Sequence, residues 1–348
     1  MKTEFYNIRQ HCSTDDKIYS LDYLKVIAIV LVVLHHSLSF YSRDNYLPTF
    51  LSNFITIVSC IHVPLFFMVS GFLIHKQNLK EFYKKKLLFI LLPFLFFTFL
   101  KLIYTYAFDS EFAHSLDIGE NLYFSLVVGE LYWFTYALLL MYLISPLFWK
   151  DTTFSFRLLI ISFSIILIIN LFGLVPVIRQ YNVFQIFNFI QYLPFFLFGM
   201  ILRRIYMKYY FAIVNFRNLS MLILFYLTFF IIGIYSISAI YFPVEILFYS
   251  CGLFVPLLLF LLFMNCKRVV LPFNKIAPYT YQIFFLDSFF KVVSFKIFYY
   301  FNIHSIFIVF IIPIIVVFLS VAFCSIAKII PFLHILVGIK KPIKCKGM

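Results

Sequence analysis

The stretch SLDYLKVIAIVLVVLHHSLSF (residues 20–40) decides the fold, because it is a membrane-length apolar run that also carries ionisable side chains. A helix needs roughly 20 mostly apolar residues to cross the hydrocarbon core of a bilayer. The ionisable residues in this run are Asp22, Lys25, His35 and His36. Because such groups are costly inside a membrane, they are candidates for function from the outset.

Apolar runs of the same kind recur along all 348 residues. Hydrophobic residues make up 64% of the chain, charged residues 12%, and the mean hydropathy is +1.01. These values exclude a water-soluble domain, a disordered chain and a coiled coil. We predict an all-α fold, a polytopic transmembrane helical bundle of about ten spans that forms one integral membrane domain over residues 1–348. The predicted spans are residues 21–41, 54–74, 87–107, 129–149, 157–175, 186–202, 219–239, 244–264, 277–298 and 305–330. The spans at 186–202, broken by Pro194, and at 277–298 are the weakest, and either is expected to be short or re-entrant.

The positive charge of the chain predicts its orientation. The net charge is +14, and most basic residues fall in loops on one side when the N-terminus is placed in the cytoplasm. Because cytoplasmic loops of membrane proteins are enriched in Lys and Arg, we predict cytoplasmic tails at residues 1–18 and 340–348. The chain is then a multi-pass protein of the cell inner (plasma) membrane, with the lipid bilayer as a partner. No loop is long enough for a nucleic-acid-binding module, so no nucleic acid is expected.

Two interpretations of the first span are open on spacing alone. Lys25 and His36 are eleven residues apart, about three helical turns, so they share one face at a separation of roughly 16 Å. Asp22 and Lys25 are also neighbours on that face. The functional interpretation makes these residues part of a site. The simpler one makes Asp22 and Lys25 an interfacial ion pair and places the two histidines near water on the other side.

The first span, together with motifs further along, resembles the membrane-bound acyltransferase family 3, of the polysaccharide O-acetyltransferase type. The family has a basic residue, ten intervening positions and a histidine in its first helix, as Lys25 and His36 do here. The other matching motifs are 64–73 (PLFFMVSGFL), 132–134 (YWF), Tyr142, Pro146, and Phe198 with Gly199. The chain departs from the family by having Lys25 where arginine is common, which keeps the charge but loses bidentate phosphate recognition.

The resemblance implies a transferase that moves an acyl group, usually acetyl, from acetyl-CoA to a hydroxyl. The acceptor would be a glycan or lipid-linked glycan, such as a capsular polysaccharide or its precursor. Acetyl-CoA would be a co-substrate, and no bound cofactor or metal is expected, since a thioester needs no metal for activation. An imidazole, with an ordinary pKa of about 6.5, suits removal of a proton from an alcohol. We assign His36 as general base and Lys25 as a contact for CoA phosphate, with His35 as the rival base.

Asp287 is the second candidate catalytic residue. Where the family often has Tyr-x-x-His, this chain has Phe284-Phe285-Leu286-Asp287. The carboxylate of Asp287 is suited to orient a histidine or the acceptor hydroxyl. Pairing with Lys291, four residues further along the helix, is an equally good interpretation.

Substrate-binding roles are assigned to three further residues, each with a simpler alternative. Ser70 is a candidate nucleophile, although it lacks the elbow motif of serine hydrolases, and a small residue there also permits close helix packing. Glu130 and Trp133 are candidates for binding the acceptor sugar, although tryptophan is common at membrane interfaces in any case.

The basic cluster Lys84, Lys85 and Lys86 is a candidate contact for the phosphates of CoA. The same cluster is also explained as a stop-transfer signal at the cytoplasmic face. His62 and His75 are expected to be interfacial. The chain has no nucleotide-binding or metal-binding motif, and its six cysteines have no metal-ligand spacing.

A second function class is compatible with the same composition. A non-enzymatic exporter or flippase of a lipid-linked polysaccharide would also have about ten spans and scattered intramembrane charges. The two classes differ in the expected result of His36→Ala. Loss of modification with the surface polymer still exported indicates the enzyme, whereas loss of the polymer itself indicates the exporter.

Overall fold

The computed structural model describes residues 19–43, 45–108, 118–129, 131–149, 151–180, 182–213, 244–263 and 270–339. Within these ranges the chain forms helices joined by turns and loops, with no strand. The helices are α1 (Tyr19–Tyr41), α2 (Thr49–Phe72), α3 (Leu79–Lys86), α4 (Leu92–Phe108), α5 (Ile118–Tyr123), α6 (Trp133–Ile144), α7 (Thr152–Leu171), α8 (Val175–Gln180), α9 (Ile186–Ile213), α10 (Val244–Phe263), α11 (Phe273–Ile276), α12 (Thr280–Tyr300), α13 (Ile308–Ala327) and α14 (Leu333–Leu336).

Helix α2 lies at the centre of the bundle and packs against α1, α9 and α10. Its contact with α9 is so close that only glycine fits. A Cβ atom added at Gly71 would overlap the carbonyl oxygen of Phe196, and one added at Gly199 would overlap that of Met68. Small residues allow backbones to approach in this way, which gains dispersion contacts that lipid cannot supply. The glycines of two quoted motifs therefore join the same pair of helices.

Helix α1 is held between α2 on one side and α12 and α13 on the other. Buried aliphatic side chains dominate this contact, among them Ile29 and Val33 of α1, Ile283 of α12 and Val309 of α13. The packing fixes the rotation of α1 about its axis. It therefore decides which of its polar side chains point into the bundle.

Arginines of α9 satisfy the carbonyl groups left free where two neighbouring segments end. Arg203 donates to the Phe72 carbonyl at 3.2 Å, and Arg204 donates to the Phe148 carbonyl and to the Ser155 hydroxyl. A cation at a helix C-terminus also interacts favourably with the helix dipole. We call this end of the bundle the basic end, and it carries Lys25, Lys86, Arg203, Arg204 and Lys328.

Six described helices are long and apolar enough to cross a membrane, and a bent pair of helices makes a seventh. They are Tyr19–Tyr41, Thr49–Phe72, Leu79–Ala107, Thr153–Leu171, Val183–Met207 and Ile308–Ala327, with Gly119–Val128 and Trp133–Phe148 as the bent pair. The predicted span at 219–239 and both predicted tails, 1–18 and 340–348, lie outside the described residues. The all-helical membrane fold is thus confirmed, whereas the count of ten spans stays a prediction.

The two spans that the sequence marked as weakest are continuous helices. Helix α9 runs for 28 residues through Pro194, since membrane helices tolerate proline where neighbouring groups satisfy the freed carbonyl. Helix α12 runs for 21 residues. It is less apolar than the six membrane-length helices because it carries Asp287, Lys291 and Lys296, and its backbone is continuous. The expectation of a short or re-entrant segment was wrong for both.

We predict that Gly199→Ala separates α2 from α9, because the new methyl group meets backbone atoms that have no room to turn away. Overpacking typically costs 1–3 kcal/mol, and we expect a loss of about 3 kcal/mol or more. The melting temperature and the membrane abundance of the purified variant measure it. Gly252→Ala is the matched control, because its methyl group would meet mainly side-chain atoms of Phe195 and Pro64. Equal stability of the two variants would contradict this account of the contact.

Candidate active site

Helices α1 and α12 bring His36 and Asp287 together, although the two residues are 251 positions apart in the chain. The Nδ1 of His36 lies 2.6 Å from Oδ2 of Asp287. Because a carboxylate accepts hydrogen bonds, this contact assigns the ring proton to Nδ1 and leaves the lone pair on Nε2. About a third of the His36 side chain is exposed, whereas Asp287 is almost fully buried. The pair therefore presents an oriented imidazole that can accept a proton.

Lys291 shares the same carboxylate. Its Nζ lies 3.5 Å from Oδ2 of Asp287, one turn further along α12. The pairing that the i, i+4 spacing suggested is therefore present together with the histidine contact. Because the lysine charge offsets the buried carboxylate, the aspartate need not be neutralised by a proton on His36. The second oxygen of Asp287, Oδ1, is buried and has no hydrogen-bond partner among the described residues.

Two further imidazoles lie beside His36. The ring of His35 stacks on that of His62 at 4.9 Å, and its edge contacts the ring of His36 at 5.8 Å. His62 is buried, and its Nδ1 donates to the Val58 carbonyl at 2.6 Å. His62, which we expected to be interfacial, lies near the middle of α2 and faces the inside of the bundle. Among the described residues, no three metal-ligating side chains stand close enough to hold a metal ion.

A cavity of about 560 Å³ opens among α1, α2, α6 and α12 towards the basic end, and we call it the basic-end cavity. Two predicted site residues line it, Lys25 and Ser70. Lys25 also forms an ion pair with Asp22 at 3.1 Å, and both residues of this pair line the cavity. His36 and Asp287 are not among the lining residues. Eleven residues separate Lys25 from His36 on α1, which is about 16 Å along the axis.

The basic cluster of α3 is divided between two environments. Lys84 and Lys85 are exposed, and Lys85 makes only a loose pair with Glu81, at 3.9 Å. Lys86 instead turns inward, with its ammonium 3.5 Å from the centre of the Tyr142 ring. Because Tyr142 lines the basic-end cavity, this cation–π contact brings one positive charge of the cluster to the cavity wall.

The remaining predicted residues are placed as follows. Ser70 and Tyr142 both line the basic-end cavity, while the close helix packing that we considered for Ser70 is made by its neighbour Gly71. Trp133 stacks on Tyr192 at 5.3 Å and is partly buried. Glu130 lies outside the described residues. His75 is exposed just beyond the end of α2.

Sequence reasoning did not assign a site role to Lys328, which lines the basic-end cavity together with Lys25. In the sequence, Lys328 contributes only to the excess of basic residues on the predicted cytoplasmic side. Sequence reasoning also gave His62 too little weight. No local signal marks either residue, because each becomes relevant only through the packing of helices that are distant in the chain.

A family model described as an acyltransferase domain matches residues 18–327. The chain belongs to the acyltransferase 3 family. The match includes every helix from α1 to α13 of this helical membrane protein. The exporter alternative has no support from this comparison.

The nodulation protein NolL of Sinorhizobium fredii (strain NBRC 101917 / NGR234) is similar to this chain. The two are 29% identical over 182 residues, which cover 49% of this chain and 48% of NolL. The match thus spans about half the length of each protein. No solved structure matches the chain.

We predict that Lys291→Met lowers the melting temperature of the protein, because it removes one partner of a buried charge pair. Breaking such a pair typically costs about 3–5 kcal/mol, whereas removing both charges is often neutral. The double variant Lys291→Met with Asp287→Asn should therefore melt at a higher temperature than Lys291→Met alone. Lys296→Met, at an exposed position of the same helix, is the control. If the second substitution lowers the stability further, the ion pair does not stabilise this site.

Proposed function

We propose that this acyltransferase transfers an acetyl group from acetyl-CoA to a hydroxyl of a cell-surface or capsular polysaccharide, or of its lipid-linked precursor. The single observation that carries the proposal is the 2.6 Å contact between His36 and Asp287 inside a family member. It supplies an imidazole that a buried carboxylate orients. The resemblance to polysaccharide O-acetyltransferases supports the choice of acetyl and of a glycan.

His36 acts as general base in this mechanism. Its Nε2 takes the proton of the acceptor hydroxyl while the oxygen attacks the thioester carbonyl carbon. The new bond joins the acceptor oxygen to the acyl carbon, and the bond between that carbon and sulfur breaks. The protonated imidazole then returns its proton to the departing thiolate, which yields an ester and free CoA. Asp287 positions the ring and stabilises its charged form, as the aspartate of a Ser-His-Asp triad does.

The donor enters from the basic-end cavity, which we propose faces the cytoplasm. Lys25 and Lys328 line this cavity, and CoA carries its phosphates at the end remote from the thioester. With the phosphates held near Lys25, the long pantetheine arm extends along α1 towards His36. Lys84 and Lys85, exposed near the same end, add an attractive field for a polyanion. The enzyme would then lie in the plasma membrane, with ten spans and both termini in the cytoplasm.

His36→Gln tests the central claim. Loss of a general base typically lowers the rate about 10² to 10⁴-fold, so we expect acetylated product to fall to background at wild-type membrane abundance. His35→Gln is the matched control, because the His35 ring packs on His62 and its Nδ1 has no hydrogen-bond partner among the described residues. We expect its turnover to remain within several-fold of wild type. The measurement is product formation from labelled acetyl-CoA by purified protein with isolated surface glycans.

Two results with these variants would contradict the role of His36 as general base. If His35→Gln is inactive and His36→Gln is active, the base is the other imidazole. If both variants keep their activity, the histidine mechanism is wrong. Parallel measurement of glycan export in cells separates loss of modification from loss of the polymer.

We predict that neutralising the two cavity lysines, as Lys25→Gln with Lys328→Gln, raises the KM for acetyl-CoA by about tenfold or more. Each lost charge-assisted contact is worth about 1.5–3 kcal/mol. The KM for the acceptor should change far less, since a neutral hydroxyl gains little from these charges. Lys275→Gln is the control, because Lys275 is exposed on the short helix α11 and does not line the cavity. An unchanged donor KM at low salt would remove the cavity from the donor path.

A further inference from the structure

A second cavity, of about 200 Å³, lies at the end of the bundle opposite the basic end, and we call it the opposite-end cavity. Residues from α2, α7, α8, α9 and α10 line it, with Ser59, Asn170, Arg179, Gln191, Phe248 and Tyr249 among them. Pockets for drug-sized ligands typically measure 300–1,000 Å³. This one is smaller, so it suits a single sugar ring or one headgroup.

The two cavities lie on either side of the candidate catalytic histidine. Ser59, His62, Phe66 and Ser70 follow one another on α2 at spacings of three and four residues, so they share one face of the helix. Ser59 lines the opposite-end cavity, whereas Phe66 and Ser70 line the basic-end cavity. Between them, His62 stacks on His35, whose edge contacts His36. Along α2, the imidazoles therefore lie between the opposite-end cavity and the basic-end cavity.

The lining groups of the opposite-end cavity match an acidic saccharide. Arg179 presents a guanidinium, and its described contact is the face of the Phe187 ring, at 5.5 Å. No carboxylate among the described side chains lies within ion-pair distance of it. The carboxamide of Gln191 offers both donors and an acceptor for sugar hydroxyls. The Nδ2 of Asn170 donates to the Ile166 carbonyl at 2.9 Å, which leaves its oxygen and its second N–H for a ligand. A guanidinium pairs well with a carboxylate in a bidentate geometry.

Aromatic side chains complete the cavity wall. Phe248 and Tyr249 contribute apolar faces, which suit the carbon-bound hydrogens of a sugar ring. A phosphate group would use the cation and the amide N–H donors, but it would gain little from the amide acceptors and the two aromatic rings. The combination of one cation, amides and rings therefore favours a saccharide with a carboxylate over a lipid headgroup.

We propose that the opposite-end cavity binds an acidic sugar unit of the acceptor and that Arg179 holds its carboxylate. This inference rests on the proposed function, because it names the class of acceptor and the side from which it approaches. Donor and acceptor then reach His36 from opposite ends of the bundle. Arg179 is a specificity-determining residue that does not touch the reacting atoms.

Equilibrium binding to the purified full chain in neutral detergent tests the proposal without a need for turnover. The probes are a glucuronic-acid-containing tetrasaccharide and a neutral glucose tetrasaccharide, titrated by calorimetry. We expect the acidic probe to bind more tightly than the neutral one. Arg179→Gln should weaken binding of the acidic probe about tenfold or more, and Arg179→Lys should weaken it less. Arg157→Gln, an exposed arginine on α7, should leave both titrations unchanged.

The same binding experiment also tests a lipid headgroup as the occupant and the role of Arg179 as a ligand. Adding phosphatidylglycerol to phosphatidylcholine nanodiscs tests a lipid headgroup as the occupant. If the anionic lipid binds through Arg179 while the acidic probe does not bind in neutral nanodiscs, the proposal is overturned. If Arg179→Gln leaves binding of the acidic probe unchanged, the role of Arg179 as a ligand is also overturned.

Failure of this inference is distinguishable from failure of the proposed function. If wild type acetylates glycan through His36 but binds both tetrasaccharides equally, only the acidic-sugar site is wrong. If wild type has no His36-dependent transfer but binds the acidic probe through Arg179, the site stands and the enzymatic mechanism is wrong. Acetyl-CoA binding by Arg179→Gln, expected at wild-type affinity, confirms that the variant is folded.

Discussion

The hydrogen bond between His36 and Asp287 is the interaction on which the arrangement of the site depends. A carboxylate in an apolar bundle is expensive unless it is paired, and this one is matched by an imidazole and by the ammonium of Lys291. The pairing joins α1 to α12 and selects His36 rather than His35 for orientation. The neighbouring His35 stacks instead on His62 of the central helix. Apolar packing sets the rotation of α1, and charge compensation then defines the geometry of the imidazole.

The backbone contact between α2 and α9 supports this arrangement from the other side. Gly71 and Gly199 allow the two helices to touch, and the contact places α2 so that one of its faces runs past both cavities and the imidazoles. The arginines of α9 close the ends of two adjacent segments at the basic end. Arg203, Arg204 and Lys86 therefore lie at helix ends or at a cavity wall, where each has a defined partner.

Much of the site could be anticipated from local spacing. The eleven-residue interval placed Lys25 and His36 on one face, and the i, i+4 interval suggested the contact between Asp287 and Lys291, which the structure contains. Long-range contacts were not accessible in this way. Nothing near His62 signals that it is buried beneath His35, and nothing near Lys328 signals that it shares a cavity with Lys25. The sequence also could not predict which lysines of the basic cluster are exposed. Lys84 and Lys85 are exposed, whereas Lys86 packs on the ring of Tyr142.

The sequence by itself determined that the protein is a helical membrane protein, because apolar runs of membrane length permit no other satisfied backbone. It also determined the family, because the motifs lie within single helices and keep their spacing. The tertiary structure alone decided which polar side chains meet. Helix rotation and packing order depend on the summed contacts of many apolar side chains, so a carboxylate 251 residues away becomes the partner of His36 only when α1 and α12 pack together.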